Sequence, residues 1–341
     1  MPARRIRTSL ASATTRPDLH DDQDQLDRRR FLERSAVVGA GLLAATTIGV
    51  EPAFAGTPAH FGAGCEPRGR QRDQRQAVLA LEHQLGRRLG IMRRYAFWDS
   101  KVPDSTHAWA AHHGRIPYIA WHAYARGGAT VPWGEIARGD HDGHLRATAR
   151  NLRNLGDKVY FCFHHEPEND PWNGGPAEFR AAWNHVRKVF DDVGTNNLTW
   201  VVSLMASTYN GGHGGAAIWL PKRFDLIGAD GYNRFACSAD PWKSFAEIFK
   251  GARSWAQRQG TGLFVGEYGC VEKSACGGGG ATAAKADWFR HAARVGGSWR
   301  ELRAVVYSHG KSGQGIPYWA DSSGSSIRAF RSMAHRPRFA N

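Results

Sequence analysis

Short apolar runs alternate along this chain with longer, mostly polar stretches. Eight such runs recur, and their starts lie about 26 to 42 residues apart, the length of a strand followed by a helix. They cover residues 60–64, 90–95, 116–121, 158–163, 198–203, 225–230, 262–267 and 303–308. Eight βα units predict a (β/α)8 TIM barrel. The alternative is a doubly wound open sheet that holds all eight strands.

The stretches between these runs predict amphipathic helices. The clearest covers residues 176–193, which begin with a proline and are followed by Gly194. Four large apolar side chains recur in it at helical spacing: Phe179, Trp183, Val186 and Phe190. Residues 74–89 and 142–155 have similar patterns.

The first 55 residues have the pattern of an export signal. A polar stretch leads to three arginines at 28–30, an apolar run over 36–50 and a small-residue site at 53–55. Paired arginines before Phe31 indicate the twin-arginine type. An uncleaved anchor is the alternative, but the apolar run is shorter than the ~20 residues that a membrane span needs. We therefore expect a signal peptide over 1–55, a single barrel domain over 56–341 with no integral membrane segment, and a secreted, extracellular protein.

The charge of the chain is strongly basic: 45 Lys and Arg stand against 31 Asp and Glu, a formal net charge of +14. Such an excess attracts acidic polymers and nucleic acids. The arginines are scattered, however, and no nucleic-acid-binding motif accompanies them. We interpret the charge as a solvated basic surface and expect a monomer that binds no nucleic acid.

Five cysteines follow the signal: Cys65, Cys162, Cys237, Cys270 and Cys276. Cys162 lies in an apolar run and is interpreted as a small core residue. In an oxidising compartment Cys270 and Cys276 could pair, and either could pair with Cys237. Their spacing matches no zinc motif.

The fourth apolar run leads directly into ionisable groups. His165 and Glu166 lie two and three residues beyond its last residue, and Pro167 ends strand pairing because it has no N–H to donate. In α/β barrels the carboxyl ends of the strands carry the chemistry. We expect His165 and Glu166 to be functional and Glu168 to face water.

A second glutamate, Glu267, ends the seventh run. Glycoside hydrolysis needs one carboxyl that delivers a proton and one that attacks, and a separation of ~5–5.5 Å gives retention of configuration. We assign Glu166 as acid/base and Glu267 as nucleophile. Aromatic faces on which sugar rings can stack are expected from four residues: Trp121, Trp172, Tyr232 and Trp319. Three further tryptophans lie in periodic segments and are expected to pack between helices and barrel: Trp183, Trp200 and Trp288.

These residues, taken in order, resemble glycoside hydrolase family 26, which includes β-mannanases and mixed-linkage β-glucanases. The likeness covers most of the chain after the signal. It comprises residues 81–95 with Trp98, 139–142, 165–166, 181–186, 227–233 and 266–269. The resemblance implies that Glu166 is the acid/base and Glu267 the nucleophile. It also implies that His165 and Tyr232 orient this pair, and that His122 and Trp172 border the bound sugar.

Three features depart from the family pattern. Residues 161–164 replace the Arg-Pro pair that leads into His-Glu in mannanases, and residues 167–169 replace the Asn-Gly that follows it. Tyr307 lies near the position of a strand-eight tryptophan. We therefore expect a β-linked polysaccharide or oligosaccharide as substrate, with β-mannan as the first candidate and mixed-linkage β-glucan as the second.

Two other classes of function are compatible with parts of the sequence. A secreted carbohydrate-binding barrel without activity would have no need for both glutamates. A metal-dependent hydrolase is suggested by histidines at 112–113, 141, 144 and 164–165. His141 and His144 are three residues apart rather than four, and adjacent strand histidines point to opposite faces. We expect neither metal nor cofactor.

Overall fold

The computed structural model describes residues 58–235, 237–277 and 284–339. The predicted signal peptide lies outside these ranges. Within them, no helix combines the length and the apolar character that crossing a membrane requires.

Eight parallel strands form a closed barrel in which each strand pairs with its neighbours in sequence. The barrel closes where the last strand pairs with the first over six residues, from His60 opposite Ala304 to Cys65 opposite His309. The strands are β1 (His60–Cys65), β2 (Ile91–Ala96), β3 (Ile116–Trp121), β4 (Val159–Phe163), β5 (Leu198–Met205), β6 (Leu226–Asn233), β7 (Gly262–Cys270) and β8 (Leu302–His309). This confirms the predicted (β/α)8 barrel and excludes the open sheet.

Helices connect successive strands. They are α1 (Gln74–Leu85), α2 (Ser105–His112), α3 (Trp133–Arg138), α4 (Asp142–Leu155), α5 (Pro176–Val193), α6 (Ala206–Tyr209), α7 (Phe245–Arg258), α8 (Ala284–Ser298) and α9 (Gly324–Ala334). The predictions for 142–155 and 176–193 are confirmed at both ends. The predicted helix over 74–89 ends early, because Gly86 adopts a left-handed conformation and its N–H caps the carbonyl of Glu82.

Two apolar layers make up most of the core in the described part of the chain. The larger lies between helices and barrel, and the three tryptophans predicted to pack there are buried in it. The smaller fills the barrel interior with residues from the starts and middles of the strands, among them Tyr118, Tyr160, Cys162 and Phe264. Cys162 is thus the core residue that the sequence predicted. The apolar filling leaves polar groups to the carboxyl ends of the strands.

A disulfide joins Cys237, in the loop after β6, to Cys276, in the loop after β7. This is one of the pairings that the sequence left open. Cys65, Cys162 and Cys270 are free and buried. Cys270 is the last residue of β7, and its burial in the strand keeps it out of the bridge.

Denatured but unreduced protein should therefore alkylate at Cys65, Cys162 and Cys270 and stay protected at Cys237 and Cys276. Peptide mapping by mass spectrometry measures this. Because the bridge closes a loop with a sequence separation of 39, its removal by Cys237→Ser should lower the free energy of unfolding by about 4 kcal/mol. Alkylation of Cys237 without reductant would contradict the assignment.

Candidate active site

A cavity of about 770 Å³ opens at the carboxyl ends of the strands. Its walls come from β1, β2, β6, β7 and β8 and from the loops that follow the strands, including those after β3 and β4. Four of the predicted site residues line it together: His165, Glu166, Tyr232 and Glu267. Closure of the barrel therefore brings both predicted catalytic carboxyls into one cavity.

Glu267 is buried and held by donors on both oxygens. Its Oε1 accepts a hydrogen bond from the Tyr95 hydroxyl and forms an ion pair with Arg93. Its Oε2 accepts a hydrogen bond from the Tyr232 hydroxyl. The Nε2 atom of His165 lies 3.5 Å from Oε1. Donors of this kind favour the carboxylate anion and fix its orientation, as an attacking group requires.

Arg93 and Tyr95 were missed by the sequence analysis. Both lie on β2, two residues apart, so that both point into the barrel. The Nη1 of Arg93 donates to the Tyr95 hydroxyl over 2.7 Å, and its Nη2 donates to Ser308 Oγ over 3.3 Å. The sequence signal that could have identified Arg93 as a site residue is an arginine within an apolar strand, because a buried arginine requires a partner.

Glu166 stands in a different environment. Its backbone is left-handed, with φ of 47°, and its N–H donates to the carbonyl of Ser203 over 2.9 Å. Its Oε2 accepts a hydrogen bond from the Asn169 amide over 2.9 Å. Burial raises the pKa of Glu166 to about 7, although the Asn169 hydrogen bond and the Arg93 guanidinium act in the opposite direction. A carboxyl with this pKa can donate a proton near neutral pH and later accept one.

The turn between β4 and Glu166 is fixed by His164. This residue also has a left-handed backbone, with φ of 52°, a conformation that costs of the order of 1–3 kcal/mol in non-glycine residues. Its buried ring accepts a hydrogen bond from Ala123 N–H at Nδ1 over 3.1 Å and donates to Asp170 from Nε2 over 2.7 Å. These two contacts stabilise the turn that presents His165 and Glu166 to the cavity.

The two other histidines of the site are neutral. Burial, reinforced by His122, lowers the pKa of His165 well below its ordinary value. Burial and the neighbouring His164 lower the pKa of His122 to about 3. The rings of His122 and His165 lie 4.7 Å apart, centroid to centroid. His165 lines the cavity, whereas His122 lies behind it, against Tyr95.

The prediction that Trp121 stacks on a sugar is wrong. Its side chain has no exposed surface, and its indole stacks on Trp98 at 4.7 Å and donates to the carbonyl of Phe97. Trp121 alternates on β3 with Tyr118 and Ala120 and therefore faces the helices. It belongs to the layer between helices and barrel.

The other predicted aromatic residues retain accessible or cavity-lining surface. Trp172 is 62% exposed in the turn after Glu166, outside the cavity wall. Tyr232 lines the cavity and stacks on Tyr318 at 4.7 Å. Trp319 is half-buried, with the Arg68 guanidinium 4.3 Å above its ring. Trp172 remains a predicted sugar contact at the edge of the site.

The expectation that Glu168 faces water is also wrong. Its Oε1 accepts a hydrogen bond from the Met205 N–H over 3.0 Å, and burial raises its pKa to about 7. Glu168 thus links the turn after β4 to the end of β5. Sequence alone could not place Met205 beside it.

In two groups of side chains, the atoms that could bind a metal lie within 4.8 Å of one another. The first group is His122, His164 and Asp170, and the second is His165, Asp230 and Glu267. In the first group, both ring nitrogens of His164 already have hydrogen-bond partners. In the second group, Glu267 already forms an ion pair with the Arg93 guanidinium. A divalent cation beside that guanidinium would be repelled, so neither donor set fits a metal.

Comparison with known proteins relates this fold to solved enzymes. No family model matches the sequence, and no curated protein matches it. The catalytic domain of a family 26 endo-β-1,4-mannanase from Bacillus sp. JAMB-750 is similar over 85% of this chain and 88% of that chain, with a TM-score of 0.60 and 14% identity. A modular family 26 endo-β-1,4-mannanase from Cellulomonas fimi is similar over 82% of this chain and 71% of that chain, with a TM-score of 0.57 and 14% identity.

A third similar structure is a β-mannanase from a symbiotic protist of the termite Reticulitermes speratus, complexed with a gluco-manno-oligosaccharide. The match covers 82% of this chain and 87% of that chain, with a TM-score of 0.54 and 15% identity. At such identities, the likeness shows a shared barrel fold. Two of these three similar structures are thus family 26 mannanases, and the third is a β-mannanase.

Asn169→Ala should move the alkaline limb of the kcat/KM–pH profile upward. The Asn169 hydrogen bond lowers the pKa of Glu166, so its loss raises that pKa and keeps the acid protonated to higher pH. The profile is measured on the glycan that the wild-type protein cleaves, with Asn197→Ala as a control on a distant amide. An unmoved or lowered alkaline limb would show that Glu166 does not set it.

Proposed function

We propose that the protein is a secreted, retaining glycoside hydrolase of the family 26 type that cleaves β-linked polysaccharide, with β-mannan as its substrate. The observation that carries this proposal is that one cavity is lined by two glutamates, Glu267, which is buried, and Glu166, which is half-buried. One is held by cationic and phenolic donors, and burial raises the pKa of the other to about 7. Two carboxyls in such different environments suit the two roles of a retaining glycosidase.

In the first step, Glu267 attacks the anomeric carbon while Glu166 gives its proton to the leaving glycosidic oxygen. A glycosyl ester forms on Glu267 and the leaving sugar departs as an alcohol. In the second step, Glu166, now a carboxylate, takes a proton from water as the water attacks the same carbon. The ester bond breaks, Glu267 is free again, and the product keeps its anomeric configuration.

Neighbouring residues support each step. The hydroxyls of Tyr232 and Tyr95 donate hydrogen bonds that stabilise the Glu267 carboxylate before attack. These hydrogen bonds can weaken as the ester forms and the carboxylate loses its charge. His165 is neutral and lies beside Glu267, where it can orient the pair. Neither step requires a metal or a cofactor.

The choice of mannan rests on two arguments. The sequence motifs resemble those of family 26 in order and spacing, and the three similar structures described above are mannanases. The departures before His165 and after Glu166 keep mixed-linkage β-glucan as the second substrate to test. Export rests on the arginine pair, apolar run and small-residue site of residues 28–55.

The first test measures reducing ends released from mannan, glucomannan, mixed-linkage glucan and xylan by the chain from residue 56 onward. We expect release from mannan, and its loss by at least about 10³-fold in Glu267→Gln, because no nucleophile remains. Release from glucan alone would change the substrate. Binding to one polymer without any release would instead favour a carbohydrate-binding barrel.

Glu166→Gln separates the two roles. It should spare a dinitrophenyl glycoside far more than the natural glycan, because a dinitrophenolate leaves without protonation. Rates on both substrates are measured beside circular dichroism, which checks folding. An equal loss on both substrates would contradict an acid role for Glu166.

A further inference from the structure

We propose that Arg93 is the positioning residue that holds Glu267 ionised and oriented for attack, and that Gly64 provides the space that its guanidinium needs. The inference rests on the proposed function. It assigns a role to a β2 residue that lies outside the predicted catalytic pair, and it explains how two glutamates of one cavity can hold different charges.

The burial of Arg93 points to a specific partner. The residue is 6% exposed, and its guanidinium forms an ion pair with Glu267. The Nη1 atom of this ion pair also donates to Tyr95, and Nη2 donates to Ser308. The guanidinium lies 4.8 Å from the centroid of the Tyr95 ring. A buried charge without a partner is strongly destabilising, so arginine and glutamate depend on each other.

The other groups around Glu267 do not supply this charge. They are Tyr95 on β2, His165 in the turn after β4, and Asp230 and Tyr232 on β6. Glu166, in the same turn, lines the same cavity. His165 is neutral, because burial keeps its pKa well below the ordinary value. Asp230 and Glu166 are acids, and any charge they carry opposes ionisation of Glu267. Arg234 also lines the cavity, but it forms an ion pair with Asp240. Among the described residues, Arg93 is the cation that forms an ion pair with Glu267.

Gly64 on β1 makes the arrangement possible. A Cβ atom at this position would lie 2.6 Å from Nε and 2.7 Å from Nη2 of Arg93. Real Cβ atoms do not approach other atoms so closely, so any side chain here would displace the guanidinium. Gly64→Ala is therefore a second variant that moves the cation without removing it.

The pH dependence of catalysis tests the proposal. In Arg93→Met, Glu267 loses its cation and ionises less readily, so the acid limb of kcat/KM should move up by about 1 to 3 pH units. Misplacement of the nucleophile should also lower kcat by about 10²-fold. Arg93→Lys keeps the charge and should restore the acid limb while kcat stays reduced. Gly64→Ala should lower kcat and move the limb in the direction seen with Arg93→Met.

A matched control separates this role from a structural one. Arg115 is also buried; its Nε donates to Glu82 Oε1 over 2.7 Å, and it lies over the Trp109 ring. Arg115→Met should lower Tm through the loss of a buried pair and leave the acid limb in place. A fall in kcat in Arg93→Met with an unmoved acid limb would make Arg93 merely structural and overturn the proposal.

A stability cycle tests the same contact without activity. Tm is measured at pH 5 and pH 8 for wild type, Arg93→Met, Glu267→Gln and the double variant. Without arginine, the buried Glu267 stays protonated at the lower pH and must ionise at the higher, so Arg93→Met should lower Tm more at pH 8. In the Glu267→Gln background this pH dependence should vanish.

Equal losses at both pH values and in both backgrounds would overturn the Arg93 inference. A wild-type protein that cleaves no glycan would instead overturn the proposed function, and the stability cycle would still decide whether Arg93 and Glu267 are coupled.

Discussion

The pairing of β8 with β1 is the constraint on which the rest of this structure depends. Six successive residues of each strand lie opposite each other, and their contact turns a row of strands into a closed barrel. Closure brings the ends of β2, β4, β6, β7 and β8 to one rim. Glu166, Glu267, Arg93 and Tyr232 then meet, although they lie far apart in the chain. In an open sheet these strand ends would lie along an edge.

The two glutamates of the site can have different chemical roles because their surroundings differ. Glu267 is surrounded by an arginine and two tyrosine hydroxyls, which favour its anion. Glu166 has one amide partner and is otherwise desolvated, and its pKa rises to about 7. The protein thus separates the roles of two identical side chains by what it places beside them. This arrangement requires local backbone strain, because two non-glycine residues, His164 and Glu166, adopt left-handed conformations.

Much of the fold could be read from the sequence because its signals are local. The eight apolar runs match the eight strands, and α4 and α5 have the predicted bounds. Glu166 and Glu267 were found from their positions at strand ends. In contrast, Trp121 was misjudged because its proximity to the strand end outweighed its alternation with Tyr118. That alternation places its indole among the helices.

Other features depended on contacts that no local pattern contains. Arg93 and Tyr95 are recognised as site residues only through their contacts with Glu267, which lies five strands later in the chain. Glu168 accepts its hydrogen bond from Met205, at the end of β5. Likewise, the choice of Cys237 as partner of Cys276 follows from the burial of Cys270 in β7. In each case the missing information was which side chains the closed barrel brings together.

Trapping the glycosyl–enzyme tests the assignment of Glu267 as nucleophile most directly. A 2-deoxy-2-fluoro-mannosyl fluoride slows both steps, while its good leaving group still permits attack, so the ester accumulates. If Glu267 is the nucleophile, intact-mass spectrometry should find one fluorosugar per chain, and peptide mapping should locate it on Glu267. A label on another residue, or hydrolysis with inverted configuration and no label, would contradict this assignment.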